Sequence, residues 1–143
     1  MTRGLDCCNP ANLKTFPSIT WEGEDKPTTA PKGVLCTFSS LTYGIRAAAI
    51  NFTNYQVKDG CKTLTDIINR CAPPPRLDPE DANNTTAYIS FMAQQLGVGA
   101  TDPLDLTDKA ILAQFLKAQA HFEQGFPCLT DDQVGLGLAS MSA

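Results

Sequence analysis

The sequence predicts a mainly α-helical domain whose N-terminal lobe is loop-rich and holds a small β element. Three observations lead there. Apolar residues recur three and four positions apart in four stretches between residues 41 and 124. Those stretches open on Ser, Thr, Asn or Asp and close on Gly or Pro signals. Residues 1–38 lack that period and carry Pro10, Pro17, Pro27, Pro31, Gly4, Gly23 and Gly33, a composition of turns.

In chain order, Thr20–Glu22 and Val34–Phe38 are the best strand candidates, joined by a Pro-rich stretch over 25–33. Ser39 or Ser40 can cap a first helix over 41–57, with Leu41, Ile45, Ala48, Phe52 and Tyr55 on one face and Lys58-Asp59-Gly60 as its stop. A second, shorter helix starts at Thr63, with Asp66 as a capping-box acid. It ends near Cys71, because Pro73, Pro74 and Pro75 follow. Residues 72–83 read as a polar, Pro-rich loop. Asn83 or Asn84 caps a third helix over about 85–96, with Tyr88, Phe91, Met92 and Leu96 aligned and Gly97 closing it. Thr107 or Asp108 caps the longest helix, about 108–124, striped by Ile111, Leu112, Phe115, Leu116 and Phe122 and stopped by Gly125 and Pro127. Residues 1–128 form the expected single domain. The small-residue segment 129–143 reads as a tail, either a frayed end or a strap docking on a neighbour.

Charge narrows the function classes. Eleven basic and fifteen acidic residues give net −4. This argues against a nucleic-acid binder, which needs a basic stripe, and against an anionic membrane surface. Charged residues make up only 18%, below the usual quarter, which suits a face covered by a partner. No apolar run approaches the length of a membrane span. Met1–Asp6 has no apolar signal core, so synthesis in the cytosol is expected. The six cysteines contain no C-x-x-C pair, and His121, the sole histidine, lies outside zinc-ligand spacing from Cys128. Reduced, buried thiols are the leading reading, with disulfides in an oxidising medium as the alternative. No cofactor and no metal are expected.

Among the carboxylates, Asp78, Glu80 and Asp81 read as a solvated cluster, and Asp102, Asp105 and Asp108 as caps and turn residues. Glu123 is different. It falls in the last turn of the long helix, where the negative end of the helix dipole disfavours a carboxylate, and between Phe122 and Phe126, which would desolvate it in a cleft. Both effects raise a carboxyl pKa, as a general acid for a glycosidic oxygen requires. An exposed helix-end glutamate is the alternative. His121, two residues earlier, lies roughly 200° around the helix and off that face.

Read together, an ordered series of motifs resembles a family of small, often virion-associated bacteriophage proteins similar to the lytic protein of enveloped double-stranded RNA phages. The series is Asn9-Pro10-Ala11-Asn12-Leu13-Lys14; Trp21-Glu22-Gly23; Tyr43-Gly44-Ile45-Arg46; Thr63–Pro74; Asn83-Asn84-Thr85 with Tyr88; Leu96-Gly97-Val98; and His121-Phe122-Glu123-Gln124-Gly125. It spans about residues 4–125. The resemblance implies a lysozyme-like fold, peptidoglycan as substrate and virion proteins as partners in the particle.

In lysozyme-like glucosaminidases a helix ending in Glu-x-Gly precedes the Asn-rich turn and the Trp-x-Gly loop. Here that helix comes last, so a circularly permuted arrangement is expected, with Glu123 delivered beside the N-terminal Asn/Trp loop. Glu123 would then be the general acid. Asn9, Asn12, Trp21, Asn84, Thr85 and Tyr88 would line the glycan cleft, with Asn12 and Asn84 holding N-acetyl groups and Tyr88 stabilising positive charge in the transition state.

Three positions depart from the family pattern. Ala11 replaces a Gly that would be strained at positive φ. Cys71 replaces a Trp, removing a stacking surface. Ala82 replaces a Glu. Two functions follow: a phage peptidoglycan hydrolase, or a virion structural protein that keeps the fold without activity.

Overall fold

A computed structural model describes residues 2–26, 33–73 and 84–141. Its elements are α1 (Arg3–Asp6), α2 (Leu41–Val57), α3 (Leu64–Cys71), α4 (Thr85–Leu96), α5 (Lys109–Gln124) and α6 (Asp131–Ser140). The domain is mainly helical. Asp78, Glu80, Asp81, Ala82 and Asn83 lie outside the described residues.

Local chemistry explains where the helices start. The Ser40 side chain accepts from the Tyr43 amide, and Asn84 from the Ala87 amide. Thr63 and Asp66 exchange side-chain and backbone bonds in a full capping box, as do Thr130 and Gln133. Gly97 and Gly125 end α4 and α5 in the left-handed conformation that glycine adopts without a Cβ penalty.

The apolar stripes meet in one core. Phe52 of α2 packs edge-on against Phe115 of α5, with ring centroids 4.9 Å apart. Ile45, Leu64, Ile67, Ile68, Met92, Leu116 and Val134 are buried around them. Helix α2 contacts α3, α5 and α6, and α4 packs between α3 and α5.

Three sequence expectations are corrected. The first concerns the β element: no strand forms among the described residues. Val34–Phe38 lies along the N-terminal loop through isolated antiparallel bridges, Lys14 with Leu35 and Glu24 with Phe38. A ladder does not propagate because the chain turns at Gly23, with φ 77°, and because Asn9 takes hydrogen bonds that a partner strand would supply. The Asn9 side chain accepts from Leu13 N at 2.9 Å and donates to the carbonyls of Leu13 and Cys36 at 2.9 and 3.0 Å.

The second concerns the segment after residue 128, which is not a loose tail. Residues 131–140 form α6, with Val134, Gly137 and Leu138 buried and α2 as its main neighbour. Gly135 and Gly137 weaken the helix signal in sequence, yet Gly137 is what lets α6 approach Ile45 closely. The third is the short helix α1, capped by Thr2, which four residues are too few to announce.

Candidate functional site

A groove of about 520 Å³ runs between the N-terminal loop and the ends of α3 and α5. One side carries Asn12, Lys14, Phe16, Ile19 and Trp21. The other carries Tyr55, Arg70, Cys71 and Pro73. Glu123 and Gln124, in the last turn of α5, close one end beside Thr2, Arg3 and Gly4. Glu123 is the one carboxylate lining the groove among the described residues, and Arg3, Lys14 and Arg70 are cations along it.

A hydrogen-bond network explains why the N-terminal segment meets the end of α5 here. Asn12 donates from Nδ2 to Glu123 Oε1 at 3.1 Å. Its Oδ1 accepts from Gln124 Nε2 at 2.9 Å, and the same nitrogen donates to the Pro10 carbonyl at 2.8 Å. The Thr2 hydroxyl is hydrogen-bonded to Gln124 Oε1. Asn12 adopts φ 54°, a left-handed conformation that Asn tolerates better than most residues. The positive-φ positions of this turn are therefore Cys8 and Asn12. Ala11, where strain was expected, is free of it.

Behind the carboxyl, Tyr88 of α4 is 3% exposed and stacks on Phe122 at 3.9 Å between centroids. Its hydroxyl accepts from Gln119 Nε2 at 3.0 Å. Burial, then the nearby Cys71 and Glu123 charges, push the phenol well above its ordinary range. Cys71, in the groove wall, is pushed up to about 12 by burial first and by the Glu123 carboxylate second. Arg70 pairs with Asp59 at 3.4 Å and lies over the Tyr55 ring at 5.1 Å. His121 leaves this face and meets Phe91 edge-on at 4.9 Å.

The groove thus brings together Glu123, Asn12 and Trp21. It does not include Asn9, Asn84 or Thr85. Asn9 is fully buried and holds the loop. Asn84 caps α4, and Thr85 donates to the Ala72 carbonyl at 2.8 Å. Tyr88 stands behind the carboxyl, away from the groove lining. Sequence reading missed Gln119 and Gln124, both buried. Gln119 continues the stripe Leu112, Phe115, Leu116 at the next turn, so a polar residue in a core register was the available signal. The six cysteines are free thiols, Cys36 buried and the others half-buried. No group of metal-ligating side chains occurs among the described residues. None of the described helices is long and apolar enough to cross a membrane.

No family model matches the chain. Over 138 residues it is 33% identical to Protein P5 of Pseudoalteromonas phage PM2, an alignment covering 94% of this chain and 79% of that protein.

Proposed function

The chain belongs to the family of Protein P5 of Pseudoalteromonas phage PM2, and from the groove that Glu123 lines we propose that it is a virion-associated peptidoglycan hydrolase. In this reading the fold is a permuted lysozyme-like domain. The protein is made in the host cytoplasm, is carried in the particle beside other virion proteins, and uses neither a cofactor, nucleic acid nor a membrane. Glu123 is the general acid for glycosidic cleavage.

The observation that carries this reading is the position of Glu123. The carboxyl ends a groove of about 520 Å³ with Trp21 and Phe16 on one wall, faces suited to stacking on sugar rings. Asn12 holds one of its oxygens. In the reaction the acid proton passes to the glycosidic oxygen. The C–O bond breaks with its electron pair going to that oxygen, and positive charge develops at the anomeric carbon. Glu123 is the one carboxylate among the described groove residues. Once deprotonated, it therefore also serves as base for the incoming oxygen, from water or from a hydroxyl of the sugar itself.

The test is release of soluble fragments from purified peptidoglycan, with Glu123→Gln in parallel. The variant keeps the side-chain shape and an acceptor for Asn12. Release by the parent protein and loss in the variant support the reading. A folded parent protein that releases nothing overturns it.

The second reading is an inactive virion structural protein. The presence of Cys71 favours it: a half-buried thiol stands in the groove wall where the resembled lytic proteins have a Trp. The same assay decides between the two.

A further inference from the structure

We propose that the groove takes an acidic glycan, and that Arg3, Lys14 and Arg70 recognise the carboxylates carried along that sugar chain. In peptidoglycan these belong to the lactyl ether or to the stem peptide. The proposal rests on the reading of the groove as a glycan site and adds a charge requirement to it. It does not require that Glu123 cleave the bound chain.

The charge of the groove runs against that of the chain. The protein carries net −4, yet three of its eleven Lys and Arg residues line this groove, facing Glu123 as the one carboxylate among the described lining residues. The fold places each cation. Arg3 is exposed on α1, and α1 is pressed onto Asn12 and Gln124 at Gly4, where a Cβ would overlap both side chains. Lys14 is exposed on the N-terminal loop, between the bonds from Thr15 N to the Val34 carbonyl at 2.7 Å and from Cys36 N to the Leu13 carbonyl at 2.9 Å. Arg70 lies across the groove near the end of α3. Its side chain is 57% exposed, is paired with Asp59 at 3.4 Å and lies over the Tyr55 ring at 5.1 Å. That pair engages Nε, and the terminal nitrogens of a guanidinium are donors as well.

The rest of the groove selects the kind of anion. Phe16, 46% exposed, and Trp21 offer apolar faces to sugar rings. The turn that presents Phe16 is fixed. Ile19 N donates to the Phe16 carbonyl at 3.1 Å, and the Lys26 ammonium donates to the carbonyls of both residues. A polynucleotide carries a phosphate at every residue and would meet both the net −4 of the chain and the Glu123 carboxylate. A glycan with a carboxylate on alternate sugars spreads its charge, as the groove spreads its cations: one on each wall and one at the Glu123 end. Guanidinium and ammonium groups both form charge-assisted hydrogen bonds to carboxylates.

Trp21 is the only tryptophan of the chain and lines the groove, so its fluorescence reports binding there. Three tetrasaccharides are titrated: alternating N-acetylglucosamine and N-acetylmuramic acid with stem peptides, the same chain stripped of peptides, and neutral chitotetraose. Mass spectrometry checks that each ligand stays intact, and one that is cleaved is titrated into Glu123→Gln instead. The expected result at low salt is about tenfold tighter binding of an acidic chain than of the neutral one. The preference shrinks as salt is raised to about 0.5 M. If the stripped chain keeps the preference, the lactyl carboxylate is the group recognised; if only the peptide-bearing chain shows it, the stem peptide is. Arg3→Gln and Arg70→Gln should each weaken binding of the acidic chain about three- to tenfold and leave chitotetraose unchanged. Lys109→Gln removes an equal charge from an exposed position outside the groove and should change neither. An amide fingerprint spectrum checks the fold of each variant. Equal binding of acidic and neutral chains, binding of none, unchanged binding in both folded arginine variants, or tighter binding of a single-stranded DNA oligomer overturns the proposal. The titration needs no bond cleavage, so a protein that fails the hydrolase assay can still pass it. Fragment release without a charge preference would remove this proposal and leave the hydrolase reading.

Discussion

Asn12 and Glu123 stand 111 positions apart in the chain and meet through a hydrogen bond of 3.1 Å from Nδ2 to Oε1. The contact ties the N-terminal turn of the protein to the end of α5. It also makes the shape of that turn a condition for the aim of the acid. The left-handed backbone at Asn12, φ 54°, is what turns its side chain onto α5.

Substitution at Asn12 therefore separates backbone strain from side-chain bonding. Asn12→Ala loses both bonds and leaves a Cβ in the left-handed region, for a loss of about 2–3 kcal/mol. Asn12→Gly loses the same bonds without that strain and is expected to be about 1 kcal/mol more stable than the alanine variant. Urea unfolding of both variants gives the comparison. Equal midpoints would mean that the turn relaxes out of its positive φ.

The acid itself gives the second test. Glu123→Gln preserves the size of the side chain and an acceptor for Asn12, so stability should change by about 1 kcal/mol or less. Release of peptidoglycan fragments should fall at least about 100-fold, the usual worth of a general acid. A variant that unfolds at the parent midpoint yet retains full release would move the chemistry to another group.

Much of the helical framework was legible in residue order, because burying a stripe on a helix imposes a three-to-four spacing that shows without coordinates. Leu41–Val57 and Thr85–Leu96 match their expected spans, down to Asn84 and Gly97 at the ends of the latter. The N-terminal lobe was less legible. Asn9 satisfies three backbone groups from inside the fold, and nothing in its spacing distinguishes a buried Asn from one facing a ligand. Thr85 was misplaced for the same reason: a hydroxyl next to an N-cap can turn either way, and here it bonds Ala72. Among the groove residues, Glu123 stood out in the sequence through the helix dipole. Gln119 and Gln124 were not, because amides carry no charge and merely look like gaps in an apolar stripe.

Helix α6 tests how a glycine-rich segment holds its place. At Gly135 an added Cβ would meet nothing within 4 Å. Gly135→Ala should therefore stabilise the protein by about 0.5–1 kcal/mol through helix propensity alone. At Gly137 the same atom would overlap Ile45 Cγ2 and lie 2.7 Å from Ile45 Cβ. Gly137→Ala should then destabilise by about 1–3 kcal/mol as α6 lifts from α2. Thermal unfolding of the two single variants checks the opposite signs. A matching sign at both positions would show that the contact between α6 and α2 is loose.

The thiols of Cys36 and Cys71 set a pH dependence whose sign follows from linkage. Burial pushes Cys71 and Cys36 up to about 12 from an ordinary 9.0, helped at Cys71 by the Glu123 carboxylate and at Cys36 by Glu24. Above pH 9 the unfolded chain releases these protons while the folded chain keeps them. The folded state then binds more protons, so stability falls as pH rises. The contribution is fully present below pH 9 and is lost progressively between pH 9 and 12. Cys71→Ala should flatten that decline without changing the slope below pH 8. Urea midpoints from pH 7 to 10.5, parent against variant, measure it. Alkylation gives a second view: the raised thiol of Cys71 is rarely ionised at pH 8, so peptide mass mapping should find it slow to label. Glu123→Gln removes the second cause of the shift and should speed labelling of Cys71. A rate equal to that of the parent protein would place the carboxylate too far from the thiol to act on it.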